Sequence, residues 1–157
     1  MDAPFLLLFW GAVPFVAVWI HGASSNANAL KPDLESSPAW AVAWFFIPVA
    51  SLWMPYQAMR ETWDTTFSTV TKADRPERDY PARWWVFWIG SGVAGFVADQ
   101  VSKAHHAPAV QTLANCFWLA AVMGSILAAK SLREIIRLVT AAQNATLVDR
   151  EVHKAAG

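Results

Sequence analysis

Few residues of this sequence are of a type and spacing that could do chemistry. Charge is gathered in Arg60 to Arg83 and in Lys130 to Lys154, and the stretches outside these clusters hold almost none. Catalysis in an apolar setting needs a nucleophile with its base, a metal set or paired carboxylates, and the apolar stretches offer almost no ionisable group. Asp99 is the exception, and an acid inside a membrane is by default a functional candidate. It stands four residues before Lys103, however, so on a helix the two pair at the interface. His21 and the pair His105-His106 could bridge a metal or a haem, because two neutral imidazoles serve as axial haem ligands. Without a well-placed carboxylate they are more simply read as solvated loop residues, and no cofactor is expected. The lone Cys116 excludes an intramolecular disulfide and a cysteine-based zinc site. A phosphate loop, a dinucleotide fingerprint and a broad basic face are all missing, and formal net charge is zero, which leaves nucleotide and nucleic-acid roles unsupported.

Binding chemistry is better represented. Beyond Pro55, helical spacing pairs Tyr56 with Arg60, Gln57 with Glu61 and Arg60 with Asp64, giving a polar cluster at a membrane interface. Arg60 could hold a lipid phosphate or a partner's carboxylate. The plainer reading makes Arg60 and Glu61 the anchor of a helix end, with Tyr56 and Trp63 in the aromatic belt. Trp53, Tyr56, Arg60, Glu61, Trp63, Trp84 and Trp85 are the candidate partner-binding and lipid-binding residues. Trp53, Trp88 and Trp118 need more than an interfacial location: they face lipid, pack between helices or line a ligand site. Gln111, Thr112, Asn115 and Cys116 form a polar step suited to bonding across helices, or to a polar ligand head.

The elements that must carry these residues follow from composition. Hydrophobic residues make up 55% of the 157, charged residues only 15%, and ten are tryptophan, which points away from a soluble domain. A crossing helix needs about 20 mostly apolar residues. Four segments approach that length: Phe5 to Ile20, Ala39 to Pro55, Trp84 to Val101 and Pro108 to Ala129. The N-terminal run resembles a secretory signal with a cleavage site at Ala27-Asn28-Ala29, but Asp2 stands where a basic residue belongs, so it reads as an uncleaved anchor. The expected fold is an all-α integral membrane bundle of four transmembrane helices, the second kinked at Pro48, with a re-entrant form of that segment as the alternative. The last span runs without a breaker into Ser131 to Val148, where Leu132, Ile135, Ile136 and Val139 follow helical spacing and Lys130, Arg133 and Arg137 form another stripe. That stretch reads as an amphipathic juxtamembrane helix on the headgroups or against a partner, dividing the chain into a bundle, 1–130, and a cytoplasmic helix and tail, 131–157.

Four crossings place ten Lys and Arg on the side of the tail and only Lys31 and Lys103 on the other, so the C-terminus lies in the cytoplasm. A competing layout makes Ala39 to Pro55 a re-entrant or interfacial hairpin, since it is short and carries Pro48 and Pro55; the count is then eleven against one. Four crossings are the favoured layout. Lipid gives helices no hydrophobic reason to meet, so small residues must bring them together. Ser91 and Gly95 in the third segment, and Ala120, Gly124 and Ala128 in the fourth, supply such rows, with Ser91, Gly95 and Gly124 the central helix-packing positions.

The most distinctive stretch is Pro38 to Trp63, with Pro48, Leu52-Trp53, Pro55-Tyr56-Gln57 and Arg60-Glu61-Thr62-Trp63, followed by Trp84-Trp85 opening the next helix. It resembles the bacterial membrane family known as domain of unknown function 4328, and the resemblance reaches back to Trp19, Ala23, Asn26 and Leu30. The departures are the lack of a basic residue near Gly22, an acid at Asp64 where the family tends to be basic, and the lack of the extra leading helix of longer relatives. The resemblance implies a membrane location and supplies no activity.

The expected function is therefore that of a multi-pass protein of the bacterial cytoplasmic membrane, an accessory or assembly subunit and not an enzyme. Its tryptophan-rich surfaces would bind membrane lipids and a partner membrane protein or a second copy. The alternative is a binder or transporter of a lipid, quinone or haem held around the kink at Pro48, and a membrane enzyme completed by another chain is a third possibility.

Overall fold

In the computed structural model the described residues are 3–31, 37–47, 49–68, 76, 79–104 and 107–156, with side chains described from residue 14 onward and, beyond Thr146, only for Val148 and Val152. Every regular element among them is helical: α1 (Ala3–Leu30), α2 (Pro38–Ala43), α3 (Met54–Thr66), α4 (Tyr80–Ala104) and α5 (Pro108–Ala156). They form two compact units, one of residues 1–76 and 138–157, the other of residues 77–137.

Proline sets several helix starts, where a missing N–H costs nothing. Pro38 lies in the first turn of α2, whose N-cap Ser37 accepts from Trp40 N at 3.4 Å. Pro55 takes the same place in α3, and Pro81 and Pro108 stand at the starts of α4 and α5.

The segment 39–55, expected as one kinked span, is not one helix. Its α2 is six residues, about 9 Å of axis, followed by 3₁₀ turns at Trp44–Phe46 and Ala50–Leu52. Between them Ile47 is extended, at φ −96° and ψ 112°. The expected kink residue, Pro48, lies outside the described residues. The helix resumes only at Met54, so α3 carries the polar cluster as an element separate from α2.

In the first unit α1 packs on α2 and α3. Among the described residues the buried apolar ones include Ile20, Ala23 and Ala27 of α1, Ala41 of α2, Ala58, Met59 and Trp63 of α3, Phe67 just after it, and Val139 of α5. Small residues dominate the α1 row, which lets the helices come close. At the centre is an amide. Gln143 Nε2 donates to Ala23 O and to Thr66 Oγ1, each at 3.0 Å, and Asn26 Nδ2 donates to Gln143 Oε1 at 3.0 Å. One side chain, 4% exposed, thus ties α1, α3 and α5 together. Trp19 Nε1 adds a bond to Thr140 Oγ1 at 3.2 Å. Residue numbers rise together along α1 and α5 in these bonds, so the two helices run parallel there.

The second unit is an antiparallel hairpin of α4 with residues 108–137 of α5. A Cβ built on Gly124 would stand 3.0 Å from Ser91 Cβ and 3.5 Å from Phe87 O, tighter than an ordinary contact, so the two helices approach closely there. One on Gly95 would meet Ala121 Cβ at 3.8 Å, an ordinary contact. Near the turn Gln111 Nε2 donates to Ser102 O at 3.2 Å, and Ser102 Oγ donates to Gln111 Oε1 at 3.4 Å. Of the polar step on α5, Gln111 therefore bonds across helices, Thr112 bonds back to Pro108 O, and Asn115 and Cys116 are exposed.

At 49 residues α5 is about 74 Å long, more than twice the roughly 30 Å of hydrocarbon in a bilayer. Most of its exposed apolar residues, Leu113, Trp118, Leu119, Val122, Met123, Ile126 and Leu127, lie before Lys130, and Val148 and Val152 lie after it. After it comes the buried row Ser131, Ile135, Val139 and Gln143, spaced by four, with Lys130, Arg133 and Arg137 exposed.

Replacing Gln143 by Leu would leave Ala23 O, Thr66 Oγ1 and Asn26 Nδ2 short of a partner in a buried site, at a cost of about 1–3 kcal/mol. The expected outcome is a lowered thermal midpoint in mild detergent. The adjacent exposed Asn144→Ala should leave the midpoint nearly unchanged.

Candidate functional site

The polar cluster is built on the exposed side of α3, which turns Pro55, Ala58, Met59, Thr62 and Trp63 inward. Arg60, Glu61 and Asp64 fall on the other face because they are offset from that row by one or two positions. Arg60 Nε lies 3.7 Å from Asp64 Oδ2, the i,i+4 pair the spacing predicts, with the two side chains 49% and 30% exposed. A pair this open is worth little by itself and exchanges partners readily.

Opposite α3, Trp40 and Trp44 stack with ring centroids 4.6 Å apart. Together with Met54, Gln57, Arg60, Glu61 and Asp64 they enclose an open groove of about 660 Å³. That volume lies within the range of ligand sites, roughly 300–1,000 Å³. Trp44 Nε1 is buried and has no hydrogen-bond partner among the described residues. The interior on the α1 side is different. Between Trp19, Ile20, Ala41, Phe45 and Pro55 it leaves only about 10 Å³, the lower limit for one water. Room for a ligand near the helix break is therefore on the α3 side, in the open groove.

At the turn between α2 and α3 the chain exposes Phe46, Val49, Leu52 and Trp53, with Val49 at 83%. Trp53 meets Tyr56 edge-on at 5.5 Å between centroids.

The candidate partner-binding and lipid-binding residues thus divide. Trp53 and Arg60 are exposed, and Tyr56 and Glu61 partly so. Trp63, Trp84 and Trp85 are buried, at 0%, 4% and 8%, and rings so enclosed present no surface to lipid or partner. Trp63 packs on Phe67 at 4.7 Å, and Trp84 and Trp85 cluster with Trp88 at 6.0 and 5.0 Å. Sequence reasoning took Trp63 for a belt residue. Its spacing from Met59 and Phe67, four residues either way, marks it as part of the buried row.

Asp99 forms the expected ion pair with Lys103, and both side chains are largely exposed. His21 is exposed on α1, and His105 and His106 lie outside the described residues. Among the described residues no three His, Cys, Asp or Glu come together as a metal set.

The Pro38-to-Trp63 stretch is thus a physical unit, a short helix, a break and a polar-faced helix, and a family model covers it within residues 2–144. The chain belongs to the family of domain of unknown function 4328. No curated protein and no solved structure matches it. In this member of domain of unknown function 4328, the Trp and Pro positions of the stretch serve two purposes. Pro55 and Trp63 fill the core, and Trp40, Trp44 and Trp53 line the groove and the exposed turn.

Trp63→Ala should therefore destabilise the fold strongly, by about 3–5 kcal/mol, because it empties a filled site. Trp53→Ala should change stability little in detergent. Thermal unfolding of the two variants side by side measures the difference.

Proposed function

We propose that this chain is a non-catalytic accessory or assembly subunit of the bacterial cytoplasmic membrane, binding partner helices and lipid through its apolar faces. The observation that carries the reading is α5. Within Pro108–Thr146 it is long and apolar enough to cross a membrane, and only 17% of its most apolar 18-residue stretch is buried. Exposed Leu, Ile, Val and Met in a contiguous face are unfavourable in water and natural against lipid or another helix. The face is also built mostly of side chains with no reactive group.

For the membrane layout we favour three crossings, by the N-terminal part of α1, by α4 and by the first part of α5. The segment 39–55 then enters and leaves from the C-terminal side. Support comes from the Gln143 bonds. Four crossings would put Ala23 and Asn26, past the end of the first apolar run, on the side opposite Thr140 and Gln143. Three crossings put them on one side and run α1 parallel to α5, in keeping with hydrogen bonds at 3.0 Å. The break at Ile47 and the two 3₁₀ turns suit a re-entrant segment better than a span. The charge count then has eleven Lys and Arg with the tail and Lys103 alone opposite, which supports a cytoplasmic tail.

Single cysteines at Lys31, Lys103 and Arg137 in a Cys116→Ser background separate the layouts. With three crossings an impermeant thiol reagent added from outside labels position 103 and spares 31 and 137. Labelling of 31 together with 103 would restore four crossings. Native mass spectrometry of the chain extracted in mild detergent tests the subunit reading. A second membrane chain, or a second copy, in fixed ratio is the expected result, and a chain that is always alone would overturn it.

A further inference from the structure

We propose that the face of α5 bearing Asn115 is the seam of a two-fold dimer. Two copies of this chain lie side by side in the membrane with their Asn115 carboxamides hydrogen-bonded to each other. This inference rests on the membrane reading above and deepens it by naming the partner, a second copy, and the surface that takes it.

An unmet amide is the first argument. Between Pro108 and Ala129 the other amide and hydroxyl side chains are met inside the chain. Gln111 exchanges bonds with Ser102, Thr112 Oγ1 donates to Pro108 O at 3.0 Å, and Ser125 Oγ donates to Ala121 O at 2.9 Å. Asn115 is exposed and has no hydrogen-bond partner among the described residues. At 1.5 Å per residue the stretch from Pro108 to Ala129 is about 33 Å long, enough to cross roughly 30 Å of hydrocarbon, and Asn115 lies about 10 Å in from Pro108. A side chain as short as asparagine does not reach water from that depth. An amide left unmet in hydrocarbon is costly, and a neighbouring helix is where it finds a partner.

Position on the helix is the second argument. Asn115 and Gly124 are nine residues apart, about two and a half turns, so Asn115 points directly away from the contact that Gly124 makes with α4. Thr112, Asn115, Leu119, Val122 and Ile126 follow one another at alternating spacings of three and four, and all five are exposed. Leu119, Val122 and Ile126 are 64%, 52% and 46% exposed. That spacing keeps a stripe facing a second helix that runs parallel to the first.

The carboxamide itself selects the partner. It carries a donor and an acceptor, so two copies related by a two-fold axis exchange two bonds, each Nδ2 donating to the other Oδ1. In such a contact each residue on the axis meets its own counterpart. Insertion in one orientation keeps the two α5 helices parallel, and the second copy brings the matching group at the matching depth. Lipid tails offer neither donor nor acceptor. A single asparagine within an apolar seam also fixes the register and the number of helices.

The test uses the full chain. In membranes, Leu119→Cys in a Cys116→Ser background should form a disulfide dimer under mild oxidation. Leu113→Cys, also exposed but on another side of the helix, should not. In mild detergent, energy transfer between fluorescently labelled copies reads the dimer dissociation constant. It is expected to rise about tenfold in Asn115→Leu, as loss of two interhelical hydrogen bonds would give, and to be largely restored in Asn115→Gln. Should Asn115→Leu unfold, the two cysteine variants, which keep Asn115, still decide. Cross-linking at both positions or at neither, or a dissociation constant that Asn115→Leu leaves unchanged, would overturn the proposal. A chain held in fixed ratio with a different membrane protein, and never with a second copy, leaves the subunit reading standing and the seam wrong. If the chain washes off membranes in alkaline carbonate, the membrane reading and the seam fail together.

Discussion

The constraint on which the first unit depends is the need to satisfy one buried carboxamide. Gln143 sits on the row Ser131, Ile135, Val139 of α5, where its neighbours in the row are enclosed, so its amide cannot turn to water. Its partners must come from whatever packs there. They come from two other helices: Ala23 O and Asn26 of α1, and Thr66 at the end of α3. An apolar residue would pack at many rotations and translations, but an amide with three bonds is satisfied in one arrangement. That arrangement sets the register of α1 along α5 and fixes where α3 ends, and so places the groove that α3 lines.

The second unit uses the opposite means. Between their middles α4 and α5 meet on small residues. Contact there rests on the missing side chain of Gly124, against which Ser91 lies, and on Gly95 facing Ala121. In the middle of these helices the hydroxyls of Ser91 and Ser125 turn back on their own backbone, to Trp88 O and Ala121 O, leaving little polar surface to disturb close packing. Close van der Waals contact is what holds helices where water is absent. A polar latch marks the part of the chain expected beside the aqueous phase, and small residues mark the part expected in lipid.

Much of this was legible in the sequence, for reasons that explain what was not. Long apolar runs announced α1, α4 and α5, and the rows of small residues named Ser91, Gly95 and Gly124. The Arg60–Asp64 and Asp99–Lys103 pairs followed from spacing alone. Trp63, Trp84 and Trp85 were read as interfacial because tryptophan commonly is. Only the companion residues at four-residue spacing reveal the enclosed row of Trp63. The contact of α1 with the far part of α5 was out of reach, since it joins residues more than a hundred positions apart. Gln143 itself left a sign: a polar side chain continuing the apolar row of Ile135 and Val139 has to find a partner.

The broken segment between α2 and α3 connects these themes. A helix satisfies its own backbone, but 3₁₀ turns of three residues satisfy only a few groups. Here Ser51 N reaches Ile47 O, Leu52 N reaches Val49 O and Trp53 N reaches Ala50 O. The peptide groups without such bonds need water or protein, which the middle of a bilayer does not supply. The same turn exposes Phe46, Val49, Leu52 and Trp53, which water solvates poorly. In the proposed membrane layout, exposed apolar side chains on short 3₁₀ turns suit the boundary, where the side chains reach hydrocarbon and the backbone reaches headgroups and water. In the proposed layout that placement would lead α3 from the boundary toward water and carry Arg60, Glu61 and Asp64 with it, so that the position of the polar face follows from how the backbone bonds are met.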